Sequence, residues 1–530
     1  MIPLRPRVRH LAPMVGMLAL GCGLQPEPIP VVELTIAELQ TELASGRTTC
    51  RMIVQAHLDR IAAYDDRVNT ITVVNPAALQ RADSLDAASA AGEDRGLLHC
   101  VPMLVKDNFD THDMVTTGGS AALAGSVPPD DATQVERIRA AGAIVVAKTN
   151  MAEWAFSPRE TVSSSFGRTR NAYDLERTPA GSSGGTASGV AASFGLIGLG
   201  SDTGNSIRGP SSHLALVGIR STLGATSRDG IIPLAFDRDV GGPMGRTVAD
   251  VARVYHVVAG PDPKDPYTMV HPDRAAPDWN VPSLLDAAVP AAALETARLG
   301  VVASLSDRER MDTAVARVFD AAIADLERLG AEVVQVDVDL SLSDGPGMWC
   351  RRFRWDVAQY LATLGPDAPI TDPAQAFESG AYDASIENTL RRSVDAPIDT
   401  PPNEWEDGCP DFWENPGRQA FREHVESVME EEGLDALIYP TWTWPPAPID
   451  RANEEYRGDN SQRVAPASGL PAITVPMGFT YGDLPAGLQI LGRAFDEATL
   501  FRLAYGYEQA TRHRRPPEGF DEIVDGGMSP

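Results

Sequence analysis

The sequence predicts an α/β protein in which a largely parallel sheet carries helices on both faces. The main observation is a helical pattern followed by a glycine and then by a strand pattern, at residues 131–147 and again at residues 311–338. A further strand pattern is found at residues 434–439. Repeated alternation of helices and strands is typical of parallel sheets with crossover helices. The 530 residues allow several domains, although large α/β enzymes often remain one unit.

The first elements are predicted from capping residues and from apolar spacing. Thr35 and Glu38 have the spacing of a capping box, which predicts a helix that Gly46 ends. Apolar residues at helical spacing from 52 to 61 predict a second helix. The apolar run at residues 101–105, bounded by polar residues, predicts a buried strand.

Two helix-to-strand units follow. Asp131 is predicted to cap a helix that runs through Ala141, and Gly142 is predicted to end it. Residues 143–147 then form a buried strand. In the second unit, Gly330 separates a long amphipathic helix from an alternating strand.

The stretch from residue 181 to residue 210 contains two clusters of small residues. They read Gly-Ser-Ser-Gly-Gly at 181–185 and Asp-Thr-Gly-Asn-Ser at 202–206. The sequence between them is too apolar for a flexible linker, and it favours a close-packed helix followed by a short buried strand. The clusters are therefore predicted to be ordered turns. Glycine-rich turns let backbone N–H groups converge, which is what a developing oxyanion needs.

The second cluster supplies a candidate nucleophile and its oxyanion hole. Ser206 is the candidate nucleophile, and the hole would be formed by the backbone N–H groups of Thr203, Gly204, Asn205 and Ser206. A serine hydroxyl reacts poorly unless a base removes its proton. No histidine stands out as that base, because nearness in sequence alone is poor evidence for His213.

The two clusters resemble the signature of the amidase signature family of serine hydrolases. Members of that family use a lysine, a serine on a cis peptide bond and a nucleophilic serine. The resemblance implies that Ser182 is the cis serine, that Ser206 is the nucleophile, and that Lys106, in a strand ending in Lys-Asp-Asn, is the base. Lys148 is an equally visible lysine at a strand end, and only the family pattern separates the two.

The resemblance covers the chain from about residue 34 to about residue 509. It implies the amidase signature fold, a large mixed, mostly parallel twisted β-sheet sandwiched between α-helices. It also implies acyl transfer in which neutral Lys106 takes a proton from Ser182 while Ser182 takes one from Ser206. Two departures bear on substrate choice. Asn205 replaces the usual glycine before the nucleophile, and Arg220-Ser221-Thr222 replaces the usual Lys-Pro-Thr.

Three more residues are given supporting roles: Ser183, Asp202 and Arg208. Ser183 and Asp202 also fit plain turn positions, and Arg208 a simple ion pair. Ser183 is in addition the central serine of a Gly-x-Ser-x-Gly pattern, which makes an α/β-hydrolase-type esterase an alternative. Such an elbow must follow a buried strand, whereas residues 175–180 are polar and contain a proline.

Composition excludes some partners. The formal charge is −28, with 73 acidic against 45 basic residues, which would repel nucleic acid and anionic lipid. No nucleic-acid partner is therefore predicted. Neither CxxC nor a ligand-spaced histidine cluster is present, so no metal or other cofactor is predicted. The predicted partner is a small-molecule amide or carbamate. The sequence leaves open whether an amide, an ester or a carbamate is cleaved, because all three share the same tetrahedral chemistry.

The N-terminal sequence predicts export. Basic residues precede a mostly apolar run at residues 11–20, and Gly21 and Cys22 follow. Residues 1–22 are therefore interpreted as an export signal, either of lipoprotein type with Cys22 as the lipid anchor or without lipidation, and residues 23–33 as a proline-rich tether. A buried or disordered start is the alternative. The export signal predicts a periplasmic or membrane-anchored lipoprotein of a bacterium. A non-catalytic exported binding protein is one alternative, and the family's amidotransferase for charged tRNA is another.

The domain prediction places the catalytic domain at residues 34–515 and a C-terminal tail at 516–530. An irregular, aromatic-rich insertion is predicted near 344–416. Its aromatic rings either form a satellite hydrophobic cluster or line a substrate pocket. Cys350 and Cys409 bracket this region and are the first disulfide pairing to expect, with free buried thiols as the alternative.

Overall fold

The computed structural model of the chain describes residues 26–93, 96–275, 289–345, 347–406 and 408–523. The predicted export signal, with Cys22, lies outside the described residues. Among the helices of the described ranges, none has the length and apolar character needed to cross a bilayer.

A large mixed β-sheet runs through the described chain. In chain order, the strands are β1 (Ile71–Val74), β2 (Pro102–Lys106), β3 (Ile144–Thr149), β4 (Val162–Ser163), β5 (Gly167–Arg168), β6 (Ile197–Asp202), β7 (Val217–Arg220), β8 (Val240–Gly245), β9 (Arg298–Val302), β10 (Glu332–Val336), β11 (Ala436–Pro440), β12 (Ala472–Thr480) and β13 (Leu484–Leu491). Within the described residues, eleven of them form one sheet in the order β1-β3-β2-β6-β8-β7-β12-β13-β11-β9-β10. Strands β4 and β5 form a separate small ladder.

The parallel strand pairs of the sheet occur in two blocks. Strands β3, β2 and β6 are parallel on one side, and β11, β9 and β10 on the other. Between these blocks β8, β7, β12 and β13 pair in antiparallel fashion, and β1 adds an antiparallel edge. The predicted fold class, a large mixed sheet sandwiched between helices, is confirmed.

Helices cover both faces of this sheet. They are α1 (Ile36–Ser45), α2 (Cys50–Val68), α3 (Ala78–Ala90), α4 (Thr133–Ala140), α5 (Gly184–Ala191), α6 (Arg208–His213), α7 (Val248–Val258), α8 (Pro272–Ala275), α9 (Val289–Glu295), α10 (Thr313–Arg328), α11 (Phe353–Thr363), α12 (Ala374–Ser379), α13 (Glu387–Ser393), α14 (Pro416–Glu431), α15 (Ala465–Ser468) and α16 (Glu497–Thr511). In β2, Met103 and Val105 belong to one core cluster and Leu104 to another, because successive strand side chains point to opposite faces. Lys106 therefore points to the Leu104 face, where α2, α3 and α5 pack.

The predicted capping signals have different outcomes. Thr35 and Glu38 form the predicted capping box, and Gly46 ends α1 in the left-handed conformation. The prediction that Asp131 caps α4 is wrong. Ala132 occupies the cap position without a side-chain hydrogen bond, since the Asp131 carboxylate is engaged by His112 and Arg139 instead.

The segment predicted to be irregular, residues 344–416, contains helices α11, α12 and α13. Their short apolar faces pack around Trp154 in a local cluster with Phe353 and Leu390, so tertiary contacts rather than sequence periodicity define them. A disulfide joins Cys350 to Cys409, as the sequence favoured, and a second joins Cys50 to Cys100.

The C-terminal segment packs against α2. Phe520 is buried, with its ring centroid 5.7 Å from that of Tyr64 and 6.3 Å from that of Phe194. The Arg60 guanidinium donates hydrogen bonds to the backbone carbonyls of Phe520 at 2.7 Å and of Asp521 at 2.8 Å. These contacts tie residues 520–521 to the helix layer next to β2.

Candidate active site

Lys106 ends β2 in a fully buried position. Its Nζ lies 2.7 Å from Ser182 Oγ and 2.8 Å from Ser201 Oγ. Burial lowers the pKa of Lys106 to about 7, although the charges of Asp239 and Asp202 act in the opposite direction. A large fraction of this lysine is therefore neutral near pH 7, so it can accept a proton from a neighbouring hydroxyl.

Ser182 is held by a turn that only glycines can form. The peptide bond between Gly181 and Ser182 is cis, as the family resemblance implied. A Cβ atom on Gly184 would lie 2.3 Å from Thr161 Oγ1, and one on Gly185 would lie 2.2 Å from the carbonyl oxygen of Asn150. Larger residues would push the turn away from its neighbours, and Ser182 away from Lys106 with it.

Ser183, the alternative nucleophile, is not among the residues that line the cavity at Ser206. It is buried, and its hydroxyl donates to the Ser201 carbonyl at 3.2 Å. Residues 178–183 lead into α5 without a strand, whereas a nucleophile elbow requires one. The geometry therefore favours Ser206 over Ser183.

Ser206 lines a cavity of about 370 Å³ together with residues 203–205. Its hydroxyl donates to Asn205 Oδ1 at 3.4 Å, which is long for a hydrogen bond. Asn205 in turn donates through Nδ2 to the Pro158 carbonyl at 3.2 Å. In the described residues no hydrogen bond joins Ser206 to Ser182, so Asn205 is the neighbour that orients the hydroxyl.

The loop 203–206 carries free backbone donors. Across the described ranges, no protein acceptor takes a hydrogen bond from the N–H groups of these four residues. The next two N–H groups, of Ile207 and Arg208, are directed at the Asp202 carboxylate at 3.2 and 3.4 Å. The Thr203 hydroxyl donates to Asp239, which fixes the start of the loop. The loop can therefore present N–H groups to an oxyanion beside Ser206.

Asp202 holds two arginines in a buried network beneath this loop. Its carboxylate lies 3.1 Å from Arg208 Nε and 3.1 Å from Arg220 Nη1. Arg208 also donates to the Gly204 carbonyl at 2.7 Å and to Gln489 at 3.0 Å. Burial alone raises the pKa of a carboxyl group, yet Arg208 and Arg220 bring the pKa of Asp202 below its usual value. The pairing keeps Asp202 ionised and fixes the loop in place.

Asp107 follows Lys106 directly in the sequence, but its carboxylate pairs with another lysine and does not stabilise the charged form of Lys106. The Asp107 carboxylate lies 3.6 Å from Lys148 Nζ and accepts hydrogen bonds from the Thr117 hydroxyl and backbone. Lys148 also donates to the Phe109 carbonyl at 2.7 Å. Lys148 therefore has a structural ion pair, and of these two lysines it is Lys106 that contacts Ser182 and Ser201.

Ser201 is a site residue that sequence reasoning missed. It contacts Lys106 and accepts a hydrogen bond from Asn108 Nδ2 at 3.0 Å. No local motif marks it. The parallel register of β2 and β6, which pairs Val105 with Leu199, is the signal that could have identified it.

Part of the cavity wall comes from the segment 344–416. Trp349 and Phe353 line it, and Phe353 also belongs to the local cluster around Trp154, so the aromatic rings of this segment serve both as pocket wall and as hydrophobic cluster. Within the part of the chain that the structure describes, two groups of potential metal ligands lie elsewhere. They are Cys50, His99 and Cys100, whose sulfurs are joined in a disulfide, and His112, Asp113 and Asp131.

Comparison with known proteins identifies relatives over most of the chain. The family model described as Amidase matches residues 52–501. The A subunit of the glutamyl-tRNA(Gln) amidotransferase from Moorella thermoacetica is 35% identical over 521 residues, covering 92% of this chain and 98% of that protein. Its counterpart from Synechococcus sp. strain JA-3-3Ab is 33% identical and covers 91% of this chain and 94% of that protein.

Solved structures show the same fold. The peptide amidase from Stenotrophomonas maltophilia has a TM-score of 0.79 and 33% identity, covering 93% of this chain and 99% of its own. An amidase family protein from Bacillus anthracis strain Ames has a TM-score of 0.78 and 27% identity, with 92% of this chain and 93% of its own covered.

The prediction of an exported, periplasmic or membrane-anchored lipoprotein is contradicted by these relatives. The amidotransferase proteins that match more than 90% of the chain are named for glutamyl-tRNA(Gln), and aminoacyl-tRNA is an intracellular molecule. The apolar run on which the prediction depended is interrupted by Pro13, and Ala19-Leu20-Gly21 inverts the order of a lipoprotein signal. A basic start followed by a short apolar run is thus too weak a pattern to assign a location.

The family match, the relatives and the shared fold agree with the arrangement of the lysine, the cis peptide and the two serine clusters. The chain belongs to the amidase signature family, and it is a hydrolase of that family that acts on carbon–nitrogen amide bonds.

Proposed function

We propose that the chain hydrolyses small amides through an acyl-enzyme on Ser206, which is activated by Ser182 and Lys106. The observation that carries the proposal is the buried Lys106 Nζ, 2.7 Å from Ser182 Oγ and with a pKa of about 7. A general base works best when its pKa lies near the operating pH.

The reaction would proceed in two halves. Lys106 takes the proton of Ser182, Ser182 takes that of Ser206, and Ser206 Oγ bonds to the amide carbon. N–H groups of the loop 203–206 hold the oxyanion. The relay then returns the proton to the nitrogen as the carbon–nitrogen bond breaks. Water attacks the acyl-enzyme by the same route and releases the acid.

The contact between Ser206 and Ser182 would form during this reaction. Ser206 donates to Asn205 at a long 3.4 Å, and the proposed relay requires its hydroxyl to exchange this contact for one to Ser182. Catalytic hydrogen bonds are often long without substrate and tighten in the complex. Asn205 would then be free to contact the substrate.

The proposed substrates are linear amides, with aryl amides, esters and carbamates, as in a urethanase, as further substrates of the same chemistry. The aromatic wall at Trp349 and Phe353 supports apolar or aromatic groups beside the scissile bond. The similarity to a peptide amidase supports carboxamides as the first class to assay.

Active-site labelling tests the mechanism. The purified protein is treated with an activated fluorophosphonate, and the modified residue is mapped by peptide mass spectrometry. We expect modification at Ser206 that is lost in Lys106→Ala and Ser182→Ala. Modification at Ser183 would instead indicate the elbow mechanism, and a folded, unlabelled protein would indicate a binding protein.

A second candidate function is that of one component of an amidotransferase, which the 32–35% identity to the glutamyl-tRNA(Gln) amidotransferase proteins favours. The charge of −28 argues against direct contact with tRNA. Ammonia release by the isolated chain separates the candidates. Turnover of a simple carboxamide by this chain alone supports the hydrolase, whereas glutamine as the one amide hydrolysed would support the amidotransferase component.

A further inference from the structure

Two arginines that line the cavity at Ser206 have no acidic partner among the described residues, although Arg392 Nε donates to the backbone carbonyl of Asn388 at 3.1 Å. The two are Arg351 and Arg392, and both side chains are exposed. Among the described residues, no carboxylate lies within 4.0 Å of either guanidinium group. The described lining residues also include no aspartate or glutamate.

Four other arginines near the site, which are buried, do have acidic partners. Asp202 pairs with Arg208 and Arg220, Asp356 and Asp411 pair with Arg352, and Asp237 pairs with Arg418. The chain as a whole carries a formal charge of −28. Two arginines without a carboxylate partner, at the same cavity as the nucleophile, therefore indicate that the missing anion belongs to the ligand.

The rest of the lining defines the other part of that ligand. Phe156, Leu234, Trp349 and Phe353 give the cavity apolar and aromatic walls. Guanidinium groups match the planar geometry of a carboxylate and can bind it through two parallel hydrogen bonds.

We propose that the cavity selects amides that carry a carboxylate in addition to the scissile amide, and that Arg351 and Arg392 are its specificity-determining residues. This inference rests on the proposed function of Ser206. Ion pairs with exposed arginines contribute modestly, so each arginine should change the preference by about two- to fivefold.

Two matched ligands test the inference. N-acetyl-L-phenylalaninamide and N-succinyl-L-phenylalaninamide share the ring and the carboxamide, and only the second carries a carboxylate. The ratio of their kcat/KM values for ammonia release is measured with the unaltered protein. The ratio of their Kd values is measured by calorimetry in Ser206→Ala, which binds without turnover. We expect the succinyl compound to be favoured about fivefold or more in both assays.

Charge reversal identifies the residues responsible. In the double variant Arg351→Glu/Arg392→Glu, the preference should disappear or reverse. Arg391→Glu is the matched control, because Arg391 is exposed on the same helix α13, donates to Asn388 at 2.6 Å, and does not line the cavity. It should keep the preference of the parent protein.

The two proposals can fail separately. Equal kcat/KM for both amides, or a preference that survives the double charge reversal, would overturn the inference while leaving the hydrolase intact. If neither amide is turned over but Ser206→Ala still binds the succinyl compound more tightly, the proposed reaction fails and the anion-selective cavity stands. Equal Kd values in Ser206→Ala overturn the inference without reference to turnover.

Discussion

The amino group of Lys106 has hydroxyl neighbours but no carboxylate within ion-pair distance in the described part of the chain. The neighbouring Asp107 is directed to Lys148, and Asp202 is compensated by two arginines. Burial therefore lowers the pKa of Lys106, and no carboxylate of the described residues lies at ion-pair distance to raise it again. This arrangement explains how one of two adjacent charged residues can serve as a base.

The pH dependence of activity follows from the pKa of Lys106. The reaction needs the neutral lysine, so kcat/KM should rise as the pH increases through about 7 and should be lost at lower pH. Lys106→Met should lower kcat by about 10²–10⁴-fold. The profile is measured as ammonia release between about pH 5 and pH 9, with circular dichroism to verify folding. A flat profile over that range would contradict the role of Lys106 as the base.

Asn205 offers a second prediction, because it orients Ser206 and stands where the family usually has glycine. Asn205→Asp places a negative charge beside the developing oxyanion and should lower kcat by about 10²-fold. Asn205→Gly removes the acceptor that holds the Ser206 hydroxyl, so fluorophosphonate labelling of Ser206 should become faster. Labelling rates that are equal in the parent protein and Asn205→Gly would show that Asn205 does not restrain the nucleophile.

The extent to which the site could be predicted differs from residue to residue. Lys106 and Ser182 could be predicted together because the family pattern specifies them by position, and the structure places their side chains 2.7 Å apart. Ser201 was not predicted, since only the register between two strands brings it to the lysine. Exposed residues such as Arg351 and Arg392 have no periodic pattern, so their location at the cavity depends on how the segment 344–416 folds.

At the scale of elements, the disulfide between Cys350 and Cys409 cross-links the part of the cavity wall that the segment 344–416 supplies. Cys350 itself lines the cavity, next to Trp349 and Arg351. A disulfide usually stabilises a protein by about 2–4 kcal/mol, mainly by restricting the conformations of the unfolded chain.

Cys409→Ala in the oxidised protein should therefore lower the free energy of unfolding by about 2–4 kcal/mol and raise KM more than it lowers kcat. The reason is that the wall loosens while the serines and the lysine stay in place. Denaturant unfolding and steady-state kinetics measure the two effects. The Cys50→Ala/Cys100→Ala variant is the control, because that pair lies outside the cavity lining and should change stability alone. An unchanged KM in Cys409→Ala would contradict the role of the disulfide in shaping the wall.

The pairing of strands in the sheet shows why only some of the strands could be predicted from the sequence. Alternation of helix and strand predicts the two parallel blocks, which are joined by crossover helices. Strands β12 and β13 form a hairpin, and β7 and β8 an antiparallel pair, without an intervening crossover helix to mark them. Their positions in the middle of the sheet follow from long-range pairing, which sequence periodicity does not reveal.

For the whole molecule, the C-terminal segment closes the layer behind β2 through Phe520. Phe520→Ala should reduce the free energy of unfolding by about 3–5 kcal/mol, because a large buried ring is lost from between Tyr64 and Phe194. Denaturant unfolding measures this, and kcat should stay within about twofold because no contact to the cavity changes.

Ile523→Ala is the matched control, since Ile523 is 38% exposed and its loss should cost well under about 1 kcal/mol. Equal effects of the two substitutions would mean that the segment is not anchored by Phe520.

The turn that follows Ser182 has no room for a side chain at Gly184 or at Gly185. A Cβ atom on either glycine would lie 2.2–2.3 Å from a neighbouring atom, so we expect this turn to hold Ser182 in a fixed position. The part of the cavity wall formed by residues 349–393, in contrast, is supplied by a segment outside the sheet. We therefore expect that exchanging this segment between relatives changes the substrate preference while the lysine and the serines stay in place.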